Sequence, residues 1–121
     1  MPRLSRAAAL AAVAALIAGC RRDPDAAPSC GAVAAHFLYL AGEDLARADV
    51  DEAGRRAVRA QLPAMRDSLA AACAASQWTE LVRRCLHAAV DHAAFETCQQ
   101  GLTETQRRAL DRAARSEAET P

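Results

Sequence analysis

The sequence predicts an all-α domain, a small bundle of four to five helices arranged as helical hairpins. Three observations predict it. Beyond residue 30 there is no strand-like alternation of apolar and polar side chains, and no long glycine, proline or serine run breaks the chain. Alanine, the strongest helix former, makes up a quarter of the residues from 20 onward. Apolar residues recur at spacings of three and four, as one face of a helix requires.

The first element is a leader rather than part of the bundle. Arg3 and Arg6 give a positive start, and residues 7–18 form an uncharged apolar run. A bilayer-spanning helix needs roughly 20 such residues. This run is shorter and meets Arg21, Arg22 and Asp23 soon after it, the layout of a secretory signal. The segment Leu16-Ile17-Ala18-Gly19-Cys20 resembles the lipobox of bacterial lipoproteins. Small residues at 18 and 19 let a protease approach the backbone, and the Cys20 thiol can form a thioether. The resemblance implies cleavage before Cys20, a diacylglycerol on its sulfur and an acyl group on its new amine. Several acyl chains together make a stable anchor, at about 0.8 kcal/mol per buried methylene. It implies a bacterial cell-envelope location, with the membrane as a partner through the lipid. Position 21 is arginine, not the aspartate that retains enteric lipoproteins in the inner membrane, so the outer membrane is the expected site. Arg21 and Arg22 also suit anionic headgroups.

The expected organisation is a signal peptide over 1–19, a lipidated tether over 20–29, a helical domain over 30–117 and a frayed tail over 118–121. Without the leader, thirteen arginines face fifteen carboxylates, a net charge of −2 with no lysine. That balance argues against a nucleic-acid partner, which needs a net basic face.

Within the domain, the first helix is expected over residues 31–47, with Val33, Phe37, Leu40 and Ala41 on one face and Leu45 at its edge. Asp49 followed by Glu52 reads as the cap of the second. That helix carries Val58, Leu62, Met65, Leu69 and Ala72 as an apolar seam. Pro63 interrupts it, giving either a kink near Ala60 or two shorter helices. Ser76 and Thr79 are candidate caps for a third helix burying Trp78, Leu81, Val82, Cys85, Leu86 and Ala89. Trp78 reads as a core or corner residue whose indole needs one acceptor. A fourth, short helix covers residues 92–100 with Phe95 and Cys98 inward and Gly101 as terminator. Thr103 and Gln106 form a capping-box pattern that opens a fifth helix ending near Glu117.

With Cys20 assigned to lipid, Cys30, Cys73, Cys85 and Cys98 remain, an even set that an oxidising envelope turns into two disulfides. In an antiparallel hairpin, residues equidistant from the turn face one another. Cys30 and Cys73 are centred on the expected first turn, between Asp51 and Glu52. Cys85 and Cys98 are centred between Asp91 and His92, at the expected break after the third helix. This favours Cys30 with Cys73 and Cys85 with Cys98, while both other pairings stay open because connectivity is not readable from sequence.

The chemistry-bearing patterns are sparse. His87 and Asp91, four apart, can share a helix face, and with Cys85 nearby a metal site can be imagined. The cysteines lack the close spacing of thiolate metal sites, so neither metal nor other cofactor is expected. No Cys-x-x-Cys, Gly-x-Ser-x-Gly elbow, phosphate loop or carboxylate pair is present, and His36 would act as a base only beside a nucleophile. The expected function is therefore non-enzymatic: an envelope lipoprotein acting as an interaction or structural module for another envelope protein. Leu102-Thr103-Glu104-Thr105-Gln106 matches the Leu-Thr-x-x-Gln signature of CpxP/Spy-type periplasmic chaperones, once where that family shows it twice. This resemblance implies the alternative, a stress chaperone or metal-responsive binder. A helix cap at Thr103 answered by Gln106 accounts for the same letters. Cys73, Trp78, Cys85 and Cys98 followed by that motif also resemble small four-cysteine helical domains of bacterial lipoproteins, which implies a stapled fold and no activity.

Overall fold

A computed structural model describes residues 23–119. Five helices occupy them: α1 (Cys30–Arg47), α2 (Glu52–Ala75), α3 (Glu80–Ala88), α4 (His92–Gln99) and α5 (Glu104–Ala118). No strand is present among the described residues. The lipobox segment and Cys20 lie outside them.

Each helix starts on a side chain that accepts from the backbone two or three positions into the first turn, where amide groups lack intrahelical partners. Ser29 Oγ accepts from Ala32 at 3.0 Å, Thr79 Oγ1 from Val82 at 3.3 Å and Asp91 Oδ1 from Ala94 at 2.8 Å. Thr103 and Gln106 close the expected box, with the Gln106 amide donating to Thr103 Oγ1 at 3.2 Å and the Thr103 amide to Gln106 Oε1 at 2.9 Å. The cap of α2 differs from expectation. Asp51, not Asp49, accepts from Gly54 at 2.7 Å, because it is the last extended residue before the helix and Glu52 already lies in the first turn.

Helix α2 runs unbroken through Pro63, which overturns the two-helix alternative. Proline removes one donor and leaves the Arg59 carbonyl without its helical partner. Both residues are exposed, so water can replace the missing amide. Beyond α2 the chain reverses through Gln77, whose φ of 49° makes it the one non-glycine residue with positive φ among those described. The Trp78 amide donates to the Cys73 carbonyl at 3.2 Å, the six-to-one bond of a Schellman turn. That conformation costs a residue with a Cβ about 1 to 2 kcal/mol. Gln77→Gly is expected to raise the unfolding free energy by about 0.5 to 1 kcal/mol, after the extra freedom glycine gives the unfolded chain. Urea denaturation of the two proteins side by side checks it, and a loss of stability would mean the Gln77 side chain holds the turn.

The core is a single cluster in which Val33, Ala34 and Leu40 of α1 meet Leu69, Ala72 and Cys73 of α2, Val82 and Leu86 of α3, Phe95 of α4, and Trp78, Ala89 and Leu102 from the links. No polar or charged residue is buried in it. The Trp78 indole donates to Ser76 Oγ at 3.2 Å, and Ser76 in turn donates to the Ala72 carbonyl at 2.6 Å, so the acceptor the ring needs comes from the cap of α2. Helix α5 has no buried residue and packs along α2 through half-buried Leu110 and Ala113. Gln106 Nε2 reaches the Ser76 carbonyl at 3.0 Å, joining the start of α5 to the end of α2.

Four expected core positions are exposed. Val58 and Met65 lie at the edges of the α2 seam, where Leu62, Leu69, Ala72 and Cys73 take the buried places. Leu81 and Cys85 lie about a quarter turn from the inward line of Val82, Leu86 and Ala89, which takes the buried places of α3 and its end. Gly101 has a negative φ and does not end α4 by a left-handed turn. Its reason is contact: a Cβ there would stand 3.1 Å from Val82 Cγ2 and 3.3 Å from the Cys98 carbonyl oxygen.

The staples and the strap as the candidate functional site

Two disulfides close the hairpins. Cys30 joins Cys73 with Cα atoms 5.7 Å apart, and Cys85 joins Cys98 with Cα atoms 5.6 Å apart, inside the usual range for such bonds. The first ties the start of α1 to the end of α2, and the second ties α3 to α4. Opposite the first staple, Arg55 lays its guanidinium on the C-terminal carbonyls of α1, donating to Leu45 and, at 3.2 Å, to Ala48. Those carbonyls have no helical partner, so one arginine of α2 satisfies the end of α1.

Residues 23–29 of the expected tether are held against the domain by hydrogen bonds. Arg83 Nη1 donates to the Pro28 carbonyl at 2.7 Å, and Arg84 Nη2 donates to the Asp25 carbonyl at 2.5 Å. Asp23 accepts from the Asp25 amide at 2.9 Å and begins a turn closed by the Ala26 amide. Residues 23–29 thus form a strap laid along α3. Between strap, α1 and α3 lies an open groove of about 800 Å³, bordered by Pro24, Pro28, Ala32, Arg84, His87 and Ala88.

His36 lies one turn of α1 beyond Ala32 of the groove. Its Nε2–H donates to the Ala89 carbonyl at 2.6 Å, which places the proton on that nitrogen and joins α1 to the end of α3. Its ring lies 5.6 Å from that of His87 and 6.1 Å from that of Tyr39. The partner of His36 is a backbone carbonyl, not a nucleophile.

Comparison with protein-family models, curated proteins and solved structures gives no match to this chain. The arrangement of side chains therefore carries the functional reading.

The expected pairing of His87 with Asp91 is not formed. Helix α3 ends at Ala88, and Asp91 caps α4, so the two residues stand on different helices. Cys85 is held in its disulfide, and among the described residues no group of three histidine, cysteine or acidic side chains is placed to hold a metal. His92 faces Glu96, with Nε2 3.4 Å from Oε1, and its ring lies 6.2 Å from that of Phe37. The Leu-Thr-x-x-Gln letters are occupied by local structure: Leu102 is core, and Thr103 and Gln106 form the cap of α5. The strap is the feature that sequence reasoning missed. Its arginines bind backbone carbonyls, which every residue possesses, so no pattern of residue types marks their partners.

Proposed function

We propose that this chain is a non-enzymatic envelope lipoprotein, anchored in a membrane by acyl chains on Cys20, whose stapled helical domain serves as an interaction or structural module. The observation that carries this reading is the fate of the cysteines. Four of five are consumed by two mutual disulfides, and the one left over is the cysteine that ends the lipobox-like segment. Disulfides of this kind persist in oxidising compartments, which an exported protein reaches. Among the described residues no helix is long and apolar enough to cross a membrane, so in this reading lipid supplies the attachment. The bacterial envelope, and its outer membrane in particular, is the proposed location, and another envelope protein the proposed partner.

Intact mass spectrometry of protein extracted from its native membrane tests the proposal. The expected mass is that of residues 20–121 with a diacylglycerol thioether and an amide-linked acyl group, rising on reduction by two hydrogens for each of the two disulfides. Cys20→Ser is expected to move the protein from the membrane fraction to the soluble one. An unacylated mass, or membrane partitioning indifferent to that substitution, would overturn the reading.

A further inference from the structure

The strap fixes which face of the domain meets the lipid. This rests on acylation of Cys20. Four residues lie between Cys20 and Asp25, the first carbonyl held by α3, and the five extended steps that join them span at most about 18 Å. A free tether of ten residues would let the domain turn any side toward the bilayer. With Arg84 holding Asp25 and Arg83 holding Pro28, the side that carries the strap stays close to it.

That side has the composition an interface requires. The three most exposed large apolar residues of the described chain are Val90 at 85%, Leu81 at 79% and Tyr39 at 61%. None of the three lines the groove itself; each is linked to it through a neighbouring residue. Leu81 precedes Arg84 by three positions and Ala88 by seven, so it shares their helix face. Tyr39 touches His36, whose ring also meets His87 of the groove and whose Nε2–H holds the carbonyl of Ala89, the neighbour of Val90. The other exposed large apolar residues, Val50, Val58 and Met65, lie on or before α2 and are each less exposed.

We infer that the α1–α3 groove face, with Leu81, Tyr39 and Val90, is a membrane-contacting surface that the strap holds against the phospholipid headgroup layer. Aliphatic side chains enter the boundary between headgroups and acyl chains, and tyrosine suits that layer because its ring is apolar and its hydroxyl polar. Arg84 is held by Glu80 Oε1 and the Asp25 carbonyl, which leaves His87 of the groove to meet the headgroups.

Indole quenching tests the inference on the full mature lipoprotein in vesicles of phosphatidylethanolamine and phosphatidylglycerol with acyl chains brominated near the headgroup. Leu81→Trp and Val90→Trp report the proposed face. Val50→Trp reports the opposite end of α1, and the wild type, whose Trp78 is buried, gives the background. Bromolipid is expected to quench an indole at positions 81 and 90 several-fold more than one at position 50. Arg83→Ala/Arg84→Ala, which releases the strap, is expected to abolish that difference. Vesicle flotation separates the two layers of the argument. Protein that floats but shows equal quenching at 81, 90 and 50 overturns the contacting face and leaves the anchor standing. Protein that does not float overturns the anchor and the face together. A contrast that survives the double arginine substitution overturns the strap as its cause.

Discussion

Cys30→Ala/Cys73→Ala is expected to lower the unfolding free energy by about 4 kcal/mol, the largest loss from either staple. The bond closes a stretch of 43 residues, and cross-linking so long a loop removes much of the freedom of the unfolded chain. Cys85→Ala/Cys98→Ala opens a 13-residue stretch and is expected to cost about 3 kcal/mol on the same relation. Alanine is the proper replacement because Cys73 is fully buried, and a serine hydroxyl would need a partner there. The two loops do not overlap in sequence, so their effects add. Reducing both removes about 7 kcal/mol, comparable with the whole stability of a small domain. Urea denaturation of the two double variants, followed by helical circular dichroism, gives both losses. A greater cost for the shorter loop would show that native-state contacts around Cys85 and Cys98, and not loop closure, set the value.

Those loops are also where the sequence was most informative. The midpoint of Cys30 and Cys73 falls at the junction of Asp51 and Glu52, where α2 begins, and that of Cys85 and Cys98 falls where α4 begins. Helix starts were legible for a related reason: serine, threonine and aspartate satisfy amide groups by contacts within three residues. Asp49 and Asp51 both precede the acidic first turn, and only backbone conformation separates them. Side-chain spacing tells which residues share a face but not whether another helix covers it. Leu81 and Val58 therefore carry the same apolar signal as Val82 and Leu62, although the chain folds nothing over them. Pro63 was ambiguous because the cost of a lost hydrogen bond depends on whether water reaches the orphaned carbonyl. The strap and the left-handed Gln77 are backbone events, and residue identity records neither.

Phe95→Ala is expected to cost about 4 kcal/mol, within the range for deleting a fully buried phenylalanine. Phe95 has no exposed surface, is the sole buried residue of α4, and packs its ring 5.8 Å from that of Phe37. A helix of eight residues does not persist in water on its own local bonding, so α4 depends on this side chain and on its disulfide to α3. The staple keeps α4 near after the ring is gone but cannot fill the space, and neighbouring Leu86 and Val33 lose their contacts. Two measurements check the argument together. Urea denaturation should show the global loss, and amide exchange should show protection falling furthest in α4, since its amides lose their tie to the core. Phe95→Leu, which keeps most of the apolar volume, should recover much of the stability. A cost below about 1 kcal/mol for the alanine variant would mean that the staple alone holds α4 in place, without an aromatic anchor.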